Sequence, residues 1–202
     1  MKLTYLSLLT SLLLFASIHL HAQNTTYIQE VKEFQEEYVE HYTNPETSPF
    51  KSNTHLFKGH SFFPIDSTFR VQAVFTPEKS DLFLATSTSR YAEYTRLGTL
   101  TFELKGQTFS LAILYNEGFS SSEEYVNKAF VPFMDLTNGE TSYTNGRYCY
   151  VDLPKEEGDI VTLDFNKSTN PYCAYVSGYS CAVPPDENNL SIEILAGVKN
   201  PK

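Results

Sequence analysis

The sequence predicts a mainly β fold, an antiparallel sandwich or partly open barrel with one N-terminal helix, and three observations predict it. From Phe69 onward apolar residues recur at every second position in many short segments. Turn pairs such as Lys105-Gly106, Asn138-Gly139 and Asn145-Gly146 separate those segments at close spacing. Only a stretch near the start keeps helical spacing. Many short strands behind a single helix suit a sandwich or a barrel.

The elements follow in chain order. Lys2, the apolar run Leu3 to Leu14 and a break at Ala22 have the layout of a secretory signal peptide over residues 1–22, although Leu20 departs from the small residue usual three before the cut. The run is shorter than the roughly 20 apolar residues of a membrane span. Residues 23–202 are then expected to be one exported domain, periplasmic or extracellular, with no membrane contact after cleavage. Thr26 and Gln29 form a capping box opening a helix from Tyr27 to Tyr42, with Ile28, Val31, Tyr38 and Tyr42 on its apolar side. Asn44-Pro45 ends it. Strands are predicted at Phe69 to Phe75, Leu82 to Thr86 and Arg90 to Arg96. A hairpin follows, with Leu100, Phe102 and Leu104 turning at Lys105-Gly106 into Phe109, Leu111 and Ile113. Ala129 to Met134 reads as a buried strand in which Pro132 marks an edge or a bulge. Arg147 to Leu153 and Ile160 to Phe165 are expected to pair around a Lys155 to Asp159 turn, and Leu190 to Ala196 to close the sheet. Between them residues 166–189 carry little regular patterning, and a loop that long is more often functional than ornamental.

The chain carries 15 Lys and Arg against 24 Asp and Glu, a formal charge of -9. Without a basic cluster, nucleic acid and anionic membranes are poor partners. Of the three cysteines, Cys173 and Cys181 are the candidate disulfide in an oxidising compartment, a closure contributing roughly 2.5 kcal/mol by chain entropy. Cys149, between Tyr148 and Tyr150, reads as a buried strand thiol. No His lies near these cysteines in sequence, so no metal site is predicted, and no P-loop or dinucleotide fingerprint points to a cofactor. The nucleophile elbow G-x-S-x-G and H-E-x-x-H are also missing.

Polar residues are densest late in the chain. Asp135-Leu136-Thr137-Asn138-Gly139 is followed by Gly146-Arg147-Tyr148 and Leu163-Asp164-Phe165-Asn166. Asn170-Pro171-Tyr172-Cys173-Ala174-Tyr175, Cys181, then Pro184-Pro185-Asp186-Glu187-Asn188-Asn189-Leu190 and Ala196-Gly197 complete the series. With Phe57-Lys58-Gly59, Phe62-Phe63-Pro64-Ile65-Asp66 and Arg70-Val71 upstream, this order resembles a prokaryotic family of unknown function, number 1684 among such domains. The resemblance covers most of the mature chain and implies a shared domain without implying an activity. Ser168-Thr169, Ala182-Val183 and Val198 depart from the family pattern.

Read as chemistry, Arg147, Asp164, Asn166, Asn170, Tyr175, Glu187 and Asn188 are candidates for binding a small polar or anionic ligand beneath the 166–189 loop. The guanidinium offers a fork for a carboxylate or phosphate, and the amides read donors and acceptors alike. Two alternatives stay open. The same residues, including an Arg147–Asp164 ion pair, could weld the loop to the sheet in a structural or interaction domain. A hydrolase would need Asp164 or Glu187 desolvated as a base.

Overall fold

A computed structural model of the chain describes residues 25–120 and 125–202. The signal peptide expected at residues 1–22 lies outside the described residues. Helix α1 occupies residues 25–43. Strands β1 (Arg70–Ala85), β2 (Tyr91–Leu104) and β3 (Gln107–Tyr115) form a meander, followed by a single helical turn α2 (Glu117–Ser120). Strands β4 (Lys128–Phe133), β5 (Arg147–Asp152) and β6 (Ile160–Asp164) complete an antiparallel sheet of order β5-β4-β3-β2-β1-β6. The sheet curls until its edge strands β5 and β6 lie side by side, a nearly closed barrel.

The hairpin signal maps directly onto β2 and β3. Leu104 pairs with Gln107 across Lys105 and Gly106, both at positive φ, as a two-residue turn with the twist of its strands requires. The predicted strands at 69–75 and 82–86 are one continuous β1, its register shifting between Pro77 and Ser80. The strand at 90–96 and the first hairpin arm likewise merge into β2, bent between Arg96 and Gly98. A side chain at Gly98 would strike the Phe75 ring and the Thr76 carbonyl, so glycine permits the close crossing.

The period-two residues fill the barrel. Val71, Ala73 and Phe75 meet Leu100, Phe102, Leu111, Ile113, Val131, Phe133, Val151 and Leu163 in one buried cluster. Opposite-parity residues Ala112, Leu114, Phe130 and Tyr148 form a second cluster with Ala182, so the late loop covers the outer face of β3, β4 and β5. Sheets buried on both faces lose clean alternation, as β4 does with five consecutive buried residues.

Three expectations are corrected. Strands β5 and β6 do not pair with each other; β5 pairs with β4, and β6 returns to β1. Barrel closure brings the two edges together, but Tyr148 exchanges its main-chain bonds with Thr169 instead. Pro132 sits inside the sheet, between β3 and β5, rather than at an edge. The proline is tolerated because the β3–β4 ladder has shrunk to the pairing of Leu114 with Phe130. Leu190 to Ala196 is no strand, although Leu190, Ile194 and Ala196 are buried in the barrel core. Its Ile194 and Ala196 carbonyls bond to a side chain instead of a neighbouring strand, and Ile192 O accepts from Leu136 N.

Candidate functional site

Arg147 opens β5 with the same inward parity as Cys149 and Val151, and it is fully buried. Its guanidinium donates to the carbonyls of Ile194 (2.8 Å), Ala196 (2.5 Å) and Val198 (3.2 Å), three alternate residues of an extended tail. It also donates to Asp135 Oδ2 at 2.8 Å, and both members of this ion pair are fully buried. Phe63 and Phe133 flank it. The expected Arg147–Asp164 pair does not form. Asp135 takes that place, and its second oxygen accepts the main-chain N–H groups of Thr137 and Ile194. The sequence offers Asp135 only as a turn-former, because the contact spans two strand ends that come together after folding.

Asn188 and Asn166 act in the same manner as Arg147. Asn188 Oδ1 accepts from Ala112 N at 2.7 Å, and its Nδ2 donates to Ala112 O (3.0 Å) and Pro132 O (2.6 Å). One buried amide thus fills the gap where β3 and β4 stop pairing. Asn166 Oδ1 accepts from Asp66 N (3.0 Å), and its Nδ2 donates to Asp66 O and the Tyr27 hydroxyl (both 2.8 Å). Asp164 accepts from Tyr27 Oη at 2.9 Å and from Asn166 N at 3.0 Å, capping the 3-10 turn Phe165–Lys167. Burial first, and the adjacent Asp164 second, push the Tyr27 hydroxyl far above the usual tyrosine range.

Glu187 is elsewhere, on the surface, ion-paired to Arg96 at 2.9 Å. Asn170 Nδ2 donates to Lys199 O (2.8 Å) and to Tyr175 Oη (3.0 Å), and that hydroxyl shares a hydrogen bond with His60 Nδ1 at 2.9 Å. The sequence candidates therefore divide among the tail lock (Arg147), the β3–β4 gap (Asn188), the α1 contact (Asp164, Asn166), the loop neck (Asn170, Tyr175) and the surface (Glu187).

Beneath the loop lies a cluster of rings that sequence reasoning did not assemble. His60 stacks on Tyr38 with ring centres 4.1 Å apart and meets Tyr42 and Tyr175 edge-on. Tyr38 Oη accepts from Asn170 N and donates to Asn170 O, which ties α1 to the loop. Burial lowers the His60 imidazole to about 4, against a small opposing effect of the Tyr38 main chain. The helical recurrence of Tyr38 and Tyr42 showed which face of α1 is buried; it could not show that residues 60 and 175 pack there.

The remaining chemistry lies at the loop neck. Cys173 sits in the 3-10 turn Tyr172–Ala174, and its N–H donates to Cys181 Sγ at 3.2 Å. The two sulfurs lie near one another without a bond between them, and both residues are partly exposed. The Tyr143 hydroxyl lies 3.7 Å from Cys173 Sγ. Donation from the Cys181 thiol first, with the Tyr143 hydroxyl behind it, holds the Cys173 thiol below its ordinary range despite its burial, while Cys181 moves up because the two share a proton. Among the described residues, no three His, Cys, Asp or Glu side chains come together as metal ligands. A shallow hollow of about 480 Å³ lies along α1, lined by Lys32, Glu36, Glu40 and Phe62, and Phe62 separates it from the rings of Tyr38 and His60.

A family model described as a protein of unknown function, DUF1684, matches residues 55–199. The chain is also similar to an uncharacterized protein of Haloarcula marismortui whose structure was solved in solution by NMR. The two share 29% identity over 88% of this chain and 96% of that one, with a TM-score of 0.66. No curated protein matches.

Proposed function

The chain belongs to the DUF1684 family of proteins of unknown function, and from that premise we propose that it is an exported structural or interaction domain whose late polar motif locks its own C-terminal segment. One observation carries this reading: the buried guanidinium of Arg147 is committed to three main-chain carbonyls and to Asp135, with Phe63 and Phe133 packed beside it. Groups so engaged stabilise the fold, whereas an anion-binding fork needs free donors facing an open site. The Cys173–Cys181 pair closes as a disulfide once the chain reaches an oxidising compartment, fastening the loop neck.

Arg147→Met tests the lock. Removing one partner of a buried pair costs about 3–5 kcal/mol, so the urea midpoint should fall sharply. A variant as stable as the wild type would refute it. Export is tested by the mass of the protein recovered from its host, which should begin at Gln23.

A second reading, a small polar or anionic ligand beneath the 166–189 loop, has two buried atoms in its favour: among the described residues Asn170 Oδ1 and Arg147 Nε have no hydrogen-bond partner. A thermal-shift screen against sugars, nucleotides and carboxylates would support it through a Tm rise that Asn170→Ala abolishes. No rise with any of these classes would leave the locking role as the account of the motif.

A further inference from the structure

The three thiols differ in their surroundings. Cys149 is buried inside the barrel, its Sγ against the Asp164 carbonyl, and burial raises its thiol far out of the reactive range. Cys173 and Cys181 instead hold the two sides of the loop neck in place before any bond joins them. Cys173 is fixed by the 3-10 turn, where Ala174 N bonds Pro171 O and Tyr175 N bonds Tyr172 O. Cys181 is fixed on the β1–β2 turn, its carbonyl accepting from Ser87 N at 2.9 Å and its N–H donating to Ser87 Oγ at 3.1 Å. The chain between them passes through an exposed tip at Ser177 and Gly178. The neck therefore presents two pre-positioned, partly exposed thiols, with the Tyr143 hydroxyl 3.7 Å from Cys173 Sγ.

We propose that Cys173 and Cys181 form a thiol–disulfide exchange site for small-molecule disulfides, with Cys173 the attacking sulfur and Cys181 the resolving one. The proposal rests on the reading above that this pair closes to a disulfide, and it adds that the bond opens and closes as a reaction. Attack needs a thiolate, exposure and a nearby second thiol. Cys173 has all three: it is partly exposed, the Tyr143 hydroxyl lies 3.7 Å from its sulfur, and the adjacent Cys181 thiol, whose Sγ accepts from Cys173 N–H, lowers its thiol below the ordinary range. The Cys173 thiolate attacks one sulfur of a disulfide RSSR, forming a Cys173–S–S–R bond and expelling RS⁻. Cys181 then gives its proton to that thiolate and attacks Cys173 Sγ, expelling the second RS⁻, which takes a proton from water. RSSR is reduced by two electrons to two RSH, and the pair is oxidised to one intrachain disulfide. Excess RSH reverses both steps.

The test uses the full mature chain, reduced and freed of reductant, with glutathione disulfide as the probe. Intact mass should show the loss of two hydrogens with no adduct in the wild type. Cys181→Ser should trap one glutathione on Cys173, and Cys173→Ser should acquire an adduct at least about tenfold more slowly. The pH midpoint for alkylation of Cys173 should lie at about 6, while Cys149 stays unreactive until the chain unfolds. Equal adduct rates in the two variants, or no adduct in Cys181→Ser, would overturn the assignment of roles. If the disulfide forms but excess reduced glutathione never reopens it, exchange fails and structural closure stands. If no bond forms even with strong oxidant, both readings fall together.

Discussion

At the scale of single residues, side chains here stand in for main chain. An antiparallel neighbour would supply N–H groups to the carbonyls of Ile194, Ala196 and Val198; one guanidinium supplies them instead. Asn188 presents an amide to Ala112 and Pro132 as a passing strand would, and Asn166 does so for Asp66. Asn is suited to this because its carboxamide has the same donor and acceptor as a peptide group. Asn188→Asp keeps the size but replaces the donor with a carboxylate beside two carbonyls. Each buried group left unpaired costs about 1–3 kcal/mol, so we expect a loss of about 3 kcal/mol by denaturant unfolding, and a similar loss for Asn188→Ala. Stability within 0.5 kcal/mol of wild type would mean that water substitutes freely there, as happens at surface positions. These roles were half legible in the sequence. A Pro inside a strand pattern announced an interrupted ladder, but nothing local says that residue 188 repairs it.

Among elements, α1 and the late loop hold each other through the ring cluster. The alternation of Leu190, Ile194 and Ala196 was a true sign of extended chain and a poor guide to its partner. Periodicity records which face is buried; it does not record what supplies the hydrogen bonds. The hairpin at Lys105-Gly106 was fully legible because its turn, register and core face are all encoded within fifteen residues or so. The docking of α1 was not, because its contacts come from residues 60, 170, 172 and 175. That docking depends on pH through His60. Its folded pKa of about 4 lies below the unfolded 6.5, so the unfolded chain takes up the proton first. The contribution of this site is complete above pH 6.5 and is lost as pH falls from 6.5 to 4, where an imidazolium would be packed against Tyr38, Tyr42 and Tyr175, with His41 a second cation nearby. Carboxylates also titrate in that window, so the informative quantity is a difference. Relative to His60→Phe, which keeps the stacking and cannot titrate, the wild type should lose about 2 kcal/mol between pH 7 and 4.5. Parallel profiles would show that the imidazole is solvated and that the ring cluster does not exclude water.

For the whole molecule, the irregular C-terminal third is as much core as the sheet is. Leu190 N bonds Met134 O, Ile194 N bonds Asp135 Oδ1, and Val198 N bonds Ser168 O, while the side chains of Leu190, Ile194 and Ala196 are packed in the barrel. By contrast the middle of the β1–β2 ribbon, from Glu78 to Phe83, has no buried side chain on β1, and Phe83 is 62% exposed, whereas Leu84 to Ser87 beyond it are tied to residues 181–183. Secondary structure alone would rank the ribbon as rigid and the tail as loose. Burial and hydrogen bonding rank them the other way, because a segment opens locally at a cost set by the contacts it breaks. Amide hydrogen exchange separates the two rankings. The amides of Leu190, Ile194 and Val198 should exchange only through global unfolding, with protection equal to that of Leu111 and Ile113 in β3 and the same denaturant dependence. Amides between Ser80 and Phe83 should exchange through local opening, insensitive to low denaturant. In Arg147→Met the tail should lose its protection before β3 does, since the guanidinium is what joins the tail to the sheet. If the tail exchanges faster than the ribbon in the wild type, the lock is not coupled to the barrel, and the buried ion pair then stabilises only its own surroundings.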